Sequence, residues 1–127
     1  CSIGQRYMTN NNKTEVGRLG EELAKKYLGK KGFRILEQNW RTRYAEIDLV
    51  ARQKDVLVFV EVRTKRGEQF GTPEETLDSK KLQKVKRNAF SYASRVKWNK
   101  LYRIDAVCII LNEDQTVGRI NHYENIE

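Results

Sequence analysis

The segment that decides the fold reads Ala45-Glu-Ile-Asp-Leu-Val-Ala51, then Arg52-Gln-Lys-Asp55, then Val56-Leu-Val-Phe-Val-Glu-Val-Arg63. Two apolar runs joined by a short polar turn predict a β-hairpin. The second run is apolar almost without interruption, which is typical of a central strand covered on both faces. Acidic residues nevertheless interrupt both runs, and they need an explanation.

Side chains alternate across a strand, so we expect Glu46 and Asp48 on one face of the first strand and Ile47 and Leu49 on the other. The second strand likewise carries an acid and an arginine on a common face. Neighbouring strands lie about 4.8 Å apart, so carboxylates from both could converge on one ion. Without a partner, buried carboxylates would cost several kcal/mol or take up protons. We therefore interpret these acids as a metal-dependent nuclease site.

Composition indicates one basic domain. A chain of 127 residues with 39% hydrophobic and 33% charged residues can bury a core of its own. Its 25 Lys and Arg residues exceed its 17 Asp and Glu residues, which gives a formal net charge of +8. Such a balance favours a polyanionic partner, nucleic acid before an anionic membrane. A solvated basic surface explains the composition equally well.

Several classes of protein are excluded by what the sequence lacks. No apolar run approaches the roughly 18 residues that span a bilayer, so we expect no membrane association. The polar segment Thr9–Lys13 is unlike a signal peptide. We expect a flexible tail over residues 1–13, with residues 1–7 vector-derived because they precede Met8, and a single domain over residues 14–127. Cys108 lies in an apolar run and reads as a reduced core cysteine, which favours the cytoplasm.

The apolar spacing predicts two helices and five strands. We expect helices over residues 14–31, capped by Thr14 and closed by Gly32, and over about residues 79–95, capped by Asp78 or Ser79. Strands are expected over residues 33–41, 44–62 (the hairpin), 101–111 and, at an edge, 117–126. This order predicts an α/β domain with a mixed central sheet of about five strands flanked by two main helices.

Some single residues have two readings. Gly17 and Gly20 weaken a helix and so hint at close packing. Trp40 could stack on a base but is expected in the core. His122, the only histidine, is expected at the surface of a polar terminal strand. Asp105 is expected to form a structural ion pair with the nearby arginine rather than to join the site.

Basic residues concentrate on the second helix, and no acid occurs between Ser79 and Lys100. This local excess favours a surface that faces phosphates, against the alternative of a solvated helix. The loop between Thr64 and Leu77 adds a basic edge to the site. The candidates for nucleic-acid binding are Arg41, Lys65, Arg66, Lys80, Lys81, Lys84 and Arg87.

Phosphodiester hydrolysis needs an activated water, neutralised phosphate oxygens and a stabilised leaving group. Mg²⁺ or Mn²⁺ supplies all of these and prefers carboxylate oxygens. Cys-x-x-Cys, Gly-x-Ser-x-Gly and Walker motifs are absent, and a single histidine argues against zinc or a serine triad. The hairpin acids are the one cluster of suitable ligands. From its helical position alone, Glu21 reads as a solvated residue paired with a neighbouring lysine.

The spacing from Asp48 to Glu61-Val-Arg63 resembles the Asp…Glu-x-Lys signature of the PD-(D/E)xK nuclease superfamily, which has the restriction-endonuclease-like fold. More closely, the chain resembles the YraN-like family, a bacterial group of predicted endonucleases. The first helix and the hairpin are also similar to archaeal Holliday-junction resolvases. The pieces that match the YraN-like family are Gly17-Arg-Leu-Gly-Glu21, Ala24-Lys-Lys-Tyr-Leu28, Gly32-Phe33, Asn39-Trp-Arg41, Glu46-Ile-Asp-Leu49, Phe59-Val-Glu-Val-Arg63, Phe70-Gly71, Lys81 and Arg103-Ile-Asp105.

The resemblance implies that Asp48 and Glu61 are metal ligands, helped by the Val62 carbonyl. It also makes Glu21 a third carboxylate, which reaches the ion directly or through water, and Glu46 an outer ligand or the general base.

The sequence departs from these patterns at two positions. Ala45 stands where the family usually has glycine, and Arg63 stands where the superfamily usually has lysine. Arginine stays charged, so Arg63 can stabilise a transition state or orient water but cannot act as the general base. Either Glu46 or the ion would then have to activate the water, with Lys65 as a substitute.

The resemblance and the charge distribution together predict a Mg²⁺- or Mn²⁺-dependent endonuclease that acts on DNA, branched DNA included. The alternatives are a non-catalytic nucleic-acid-binding module on a nuclease scaffold and a basic interaction domain with structural ion pairs. Many proteins of this fold dimerise to cut two strands, so a homodimer is one expected state.

Overall fold

A computed structural model describes the backbone from Ser2 to Glu127 and the side chains from Thr14 onward. The elements in chain order are α1 (Ser2–Lys30), β1 (Arg34–Arg41), β2 (Glu46–Gln53), β3 (Val56–Arg66), a 3-10 turn (Pro73–Thr76), α2 (Ser79–Arg95), β4 (Tyr102–Leu111) and β5 (Val117–Tyr123). The tail predicted over residues 1–13 lies outside the residues whose side chains are described.

Most predicted boundaries agree with the structure to within a few residues. Asp78 caps α2, because its side chain accepts a hydrogen bond from the Lys81 backbone N–H at 2.8 Å. Gly32 follows α1 with a φ of 91°, a conformation that glycine adopts without strain. The cap predicted at Thr14 is wrong, because Thr14 lies inside α1.

The strands form one sheet in the order β1-β2-β3-β4-β5. Strands β3 and β4 run parallel, and the other three pairs are antiparallel. The helix between β3 and β4 supplies the crossover that a parallel pair requires. This mixed five-stranded sheet with two helices is the predicted α/β architecture, a restriction-endonuclease-like core, with β3 at its centre and β5 at an edge as expected.

The sheet carries a helix on each face, and each helix buries its own set of apolar residues. On the α1 face, Ala24 and Leu28 pack with Val58 and Val60 of the central strand. On the α2 face, the buried residues include Val85, Ala89, Tyr92, Phe59 and Ile104. Trp40 is partly buried and packs against the α2-side cluster, so the prediction that it contributes to the core rather than lying free on the surface is confirmed.

Helix α1 approaches β3 closely at Gly20. A Cβ atom placed there would overlap the Thr64 side chain, whereas one at Gly17 would meet nothing within 4 Å. The prediction that these glycines mark close packing is therefore confirmed for Gly20 and wrong for Gly17. The close approach sets the distance between α1 and the hairpin, and so the position of Glu21.

The alternation predicted for β2 is interrupted. Ile47 belongs to the α2-side cluster and Leu49 to the α1-side cluster, so they lie on opposite faces rather than on one. The pairing of β2 with β3 begins at Leu49, and the Asp48 side chain accepts the hydrogen bond of the Val62 N–H at 2.8 Å. The Asp48 side chain thus replaces a backbone carbonyl of β2 as the hydrogen-bond acceptor for Val62 of β3. As a result, β2 and β3 are no longer paired through their backbones at Asp48.

The prediction that His122 lies at the surface is wrong. Its side chain is 1% exposed, and its Nε2 lies 2.7 Å from Asp105 Oδ2. Residues 120 and 122 point toward α1 from β5, so His122 packs edge-on against Phe33 with ring centroids 5.5 Å apart. The predicted ion pair is present, with Arg103 Nε 2.9 Å from Asp105 Oδ1. Burial disfavours a charged Asp105, but hydrogen bonds from His122, Arg103 and the Asn125 backbone hold its pKa below the usual value.

No helix among the residues described is long and apolar enough to cross a membrane.

Candidate active site

Asp48 and Glu61 lie together where β2 and β3 separate. The Glu61 side chain is 3% exposed, and its Oε2 atom is buried without a hydrogen-bond partner. Burial, the neighbouring charge of Asp48 and a hydrogen bond between the two carboxyl groups raise the pKa of Glu61 to about 8, although Arg63 and Lys81 act in the opposite direction. The raised pKa favours the protonated form of Glu61 in the absence of a cation, and a bound cation would compete with that proton.

Two cations approach the same carboxylate. Arg63 Nη2 lies 3.7 Å from Glu61 Oε1, and Lys81 Nζ lies 4.0 Å from it. These distances are too long for hydrogen bonds. The Nε and Nη2 atoms of Arg63 are buried and have no hydrogen-bond partner. Uncommitted buried donors next to a carboxylate pair are costly unless a ligand uses them, so this arrangement is suited to an anionic group such as a phosphate.

Two further carboxylates, those of Glu21 and Glu46, lie beside the pair and are joined by one amide. Asn39 Nδ2 donates to Glu21 Oε2 at 3.2 Å and to Glu46 Oε1 at 3.4 Å. Gln38 donates to Glu21 Oε1 at 3.3 Å, and Arg41 Nη2 lies 2.7 Å from Glu46 Oε2. Amide and guanidinium donors thus hold both carboxylates in place at the end of β1.

The pKa of Glu21 is raised, chiefly by burial. Hydrogen bonds from Gln38 and Asn39 lower it, and the charges of Asp48 and Glu46 raise it. Glu21 is therefore electrostatically coupled to the site. The lysine partner predicted for it belongs to its neighbour instead, because Lys25 Nζ lies 2.9 Å from Glu22.

The Asp48–Glu61 pair is the candidate position for a metal ion. Among the residues described, no three His, Cys, Asp or Glu side chains are grouped so that they could hold one ion. Mg²⁺ is commonly held by one or two carboxylates and keeps several waters, so two carboxylates meet its needs. The unpartnered Oε2 atom of Glu61 fits such an ion, and hard oxygen donors favour Mg²⁺ or Mn²⁺ over softer metals.

The acidic centre opens into two cavities that share Glu46. The first has a volume of about 460 Å³ and extends toward α2; its lining residues are Tyr44, Ala45, Glu46, Asp48, Glu61, Asp78, Lys80, Lys81, Lys84 and Val85. The second, of about 670 Å³, extends along α1 and is lined by Thr14, Gly17, Arg18, Glu21, Glu22, Gln38, Asn39, Arg41 and Glu46. Basic side chains therefore lie on both sides of the acids.

The predicted nucleic-acid-binding residues fall into two groups. Four of them line the two cavities that meet at the acids: Arg41, Lys80, Lys81 and Lys84. Arg87 lines a third cavity on α2, which it shares with Lys80 and Lys84. The remaining two lie at the end of β3. There, Lys65 Nζ donates to the Phe70 carbonyl at 3.3 Å, and Arg66 is exposed. Lys65 is thus engaged by the following loop, which weakens its case as a substitute base.

Sequence reasoning missed Asn88, which is buried in α2. Its Nδ2 donates to the Ala45 carbonyl at 2.6 Å, and its Oδ1 accepts from Thr42 Oγ1 at 2.9 Å. These bonds tie the β1–β2 connection to α2 directly before Glu46. The available signal was its place in the apolar stripe of α2 beside Val85 and Ala89, because a polar residue there must have a partner.

Asn39, Gln38 and Arg18 were also missed. Asn39 has a φ of 53° and occupies the β1 position between the pairs Gln38–Leu49 and Trp40–Ile47, opposite Asp48. Asparagine tolerates this left-handed conformation better than most residues. The left-handed conformation of Asn39 in β1 thus lies directly across the sheet from Asp48, the residue at which β2 separates from β3.

The fold and the site together define a mixed α/β domain with an acidic centre between basic cavities. The chain belongs to the uncharacterised protein family UPF0102, whose family model matches residues 20–109. This match confirms the predicted YraN-like family.

Curated relatives agree over nearly their whole length. A UPF0102 protein of Syntrophomonas wolfei subsp. wolfei is 43% identical over 112 residues, covering 87% of this chain and 96% of the relative. A UPF0102 protein of Pelotomaculum thermopropionicum is 40% identical, with 87% and 92% covered. One from Caldanaerobacter subterraneus subsp. tengcongensis is 39% identical, with 93% and 98% covered.

Proposed function

We propose that this protein is a Mg²⁺- or Mn²⁺-dependent endonuclease of the PD-(D/E)xK type that acts on DNA. The observation that carries the proposal is the Asp48–Glu61 pair, in which Glu61 is buried and has a raised pKa and an oxygen without a partner. Structural carboxylates are usually satisfied by the protein itself, whereas a metal site keeps oxygens free for its ion.

The ion would be held by Asp48 and Glu61, with the Val62 carbonyl as a third protein ligand and Glu21 linked through water. When bound, a divalent cation supplies charge neutralisation at the phosphate and acidifies a water molecule. The chain's own residues bind and orient the other groups. Arg63 has unpartnered N–H groups for phosphate oxygens, and Glu46 orients or deprotonates the attacking water.

The proposed path of the DNA crosses both cavities. Arg18 and Arg41 lie in one cavity, Lys81 and Lys84 lie in the other, and Glu46 lies between them. Cations on both sides would hold consecutive phosphates and bring the phosphate between them to the acids. The formal net charge of +8 supports such a polyanionic substrate.

The alternative is a nucleic-acid-binding module without turnover. It is favoured by the cations near Glu61, since Arg63 and Lys81 already offset part of its charge at 3.7 and 4.0 Å. Arginine in place of the usual lysine also removes one candidate base. This alternative predicts salt-sensitive DNA binding and no metal-dependent cleavage.

The test is incubation of the purified protein with supercoiled, linear and four-way-junction DNA in Mn²⁺, Mg²⁺ or EDTA. Wild type should cut in the presence of metal, and Asp48→Asn or Glu61→Gln should lower the rate by at least about a hundredfold. The matched controls are Asp55→Asn in the hairpin turn and Glu113→Gln in the turn between β4 and β5, which remove the same charges away from the pair and from both cavities. Cleavage that persists in EDTA or in the site variants would refute the proposal.

The cellular location and the oligomeric state of the protein are also proposals. We place the protein in the cytoplasm, a location supported by the free buried thiol of Cys108. A homodimer would allow two centres to cut opposite strands, and sedimentation with and without DNA would detect it.

A further inference from the structure

An exposed aromatic ring lies at the acidic centre. Tyr44 is 57% exposed, and it lines the cavity of about 460 Å³ that also contains Glu46, Asp48 and Glu61. An exposed tyrosine on a general surface needs no explanation, but one that lines a cavity together with charged side chains is a candidate contact for a ligand.

The backbone on both sides of Tyr44 is fixed. Its N–H donates to Thr42 Oγ1 at 3.1 Å, and Thr42 Oγ1 in turn donates to Asn88 Oδ1 at 2.9 Å. Asn88 also donates to the carbonyl of Ala45 at 2.6 Å. The connection that carries the ring is therefore attached to α2, the helix that also carries Lys81 and Lys84. Because this backbone is already fixed, it need not be ordered when the ring binds a ligand, which lowers the entropic cost of binding.

Two guanidinium groups accompany the ring. The Arg43 Cζ atom lies 5.1 Å from the ring centroid, and the Arg87 Cζ atom lies 5.9 Å from it. Arg43 also donates to the Tyr44 hydroxyl at 3.0 Å. Aromatic faces combined with arginines are the usual surface on which proteins stack unpaired bases while holding the adjoining phosphates.

We propose that Tyr44 stacks against an unpaired base next to the phosphate that reaches Asp48 and Glu61. The preferred substrate would then be DNA with a single-stranded segment, such as a flap, a junction or a free single strand. In a continuous duplex the base faces are covered by their neighbours, so a protein ring can stack on one only where the base is unpaired or flipped out. The inference depends on the proposed function for the placement of the scissile phosphate.

The experiment measures binding without turnover, in EDTA, by fluorescence anisotropy. The probes are a single-stranded oligonucleotide, a blunt duplex of the same sequence and that duplex with a single-stranded flap. Wild type should bind the flap and the single strand more tightly than the duplex. Tyr44→Ala should weaken binding of these two probes by about tenfold and change duplex binding less than about twofold. Tyr44→Phe, which keeps the ring, should bind like wild type.

Two controls separate stacking from other effects. Phe90→Ala removes an aromatic ring that is 65% exposed on α2 and is not part of the cavity, so it should leave all three affinities unchanged. A 2-aminopurine placed in turn at each position of the flap should be quenched by wild type at one position near the junction, and Tyr44→Ala should restore its fluorescence.

Equal losses on all three probes, or none on any, would overturn the stacking proposal, as would unquenched 2-aminopurine at every position. Because no metal is present, these results are separate from the cleavage assay. A protein that cuts DNA with Mn²⁺ but binds identically with and without the Tyr44 ring is a nuclease that lacks this contact. A protein that shows the Tyr44 effect but never cuts is a single-strand-binding module.

Discussion

At the scale of single residues, Glu61 lowers the stability of the metal-free protein when it is ionised, because its charge is buried, yet the proposed function needs it ionised to bind a metal. Its pKa of about 8 lies above the value of 4.5 for an unperturbed glutamate, so the folded metal-free protein binds a proton that the unfolded chain has released. This contribution to the free energy of unfolding is fully present below pH 4.5, and it is lost as pH rises through about 8. A bound metal ion would replace this proton, and the free energy of unfolding would then no longer fall as pH rises.

We therefore predict that Glu61→Gln stabilises the metal-free protein progressively between pH 5 and pH 9. Glutamine keeps the shape of the protonated side chain but has no charge to bury. The gain at pH 9 should be on the order of 1 kcal/mol or more, which shifts Tm by several degrees in a domain of this size. Thermal denaturation in EDTA at three pH values measures it, with exposed Glu22→Gln as the control. Melting temperatures that differ by the same amount at every pH would contradict the raised pKa.

The two carboxylates of the candidate metal site were predictable from the sequence, whereas the asparagines that position the surrounding segments were not. Asp48 and Glu61 stand out because a carboxylate in an apolar strand is locally improbable. Asn88 and Asn39 do not, because their partners are distant in sequence and their role appears only when α2 and β1 are packed. His122 was misplaced for the same reason: its strand is polar by composition, but the face it occupies is set by Phe33 and Asp105.

At the scale of elements, the close packing of α1 on β3 places Glu21 beside the hairpin. We predict that Gly20→Ala destabilises the protein by about 1–3 kcal/mol, because the new methyl overlaps Thr64. Alanine would otherwise favour a helix by about 1 kcal/mol, and Gly17→Ala, which has open space, should show that gain. Denaturant unfolding of both variants measures the difference. Equal stabilisation in the two would mean that α1 is free to move away from β3.

The order of the elements and most of their bounds were accessible from the sequence because local signals agreed with one another, but the start of α1 was not. The polar turn, the Asp78 cap and Gly32 each end or begin an element at the predicted place. The interruption of β2 was not accessible. Alternation treats a strand as regular, but at Asp48 a side chain replaces a backbone carbonyl as the partner of Val62, and no local pattern signals that exchange.

At the scale of the whole molecule, the acids lie within an otherwise basic surface, and this arrangement makes a quantitative prediction. Each phosphate contact contributes about 0.9 to the slope of log affinity against log salt concentration, less for single strands. If DNA crosses both cavities, cations of each cavity should contribute separately.

We predict that Arg18→Gln in the α1-side cavity and Lys84→Gln in the α2-side cavity each reduce the salt slope by about one, and that the double variant reduces it by about two. Lys54→Gln removes an equal charge at the hairpin turn, at the opposite end of β2 and β3 from the acids, and should change nothing. Titrations between about 50 and 200 mM salt, in EDTA, measure the slopes. An effect of Lys84 alone would confine the DNA to one cavity and leave Glu21 outside its path. No effect of either would favour a basic interaction domain, because a nuclease must hold the phosphates on both sides of the bond it cuts.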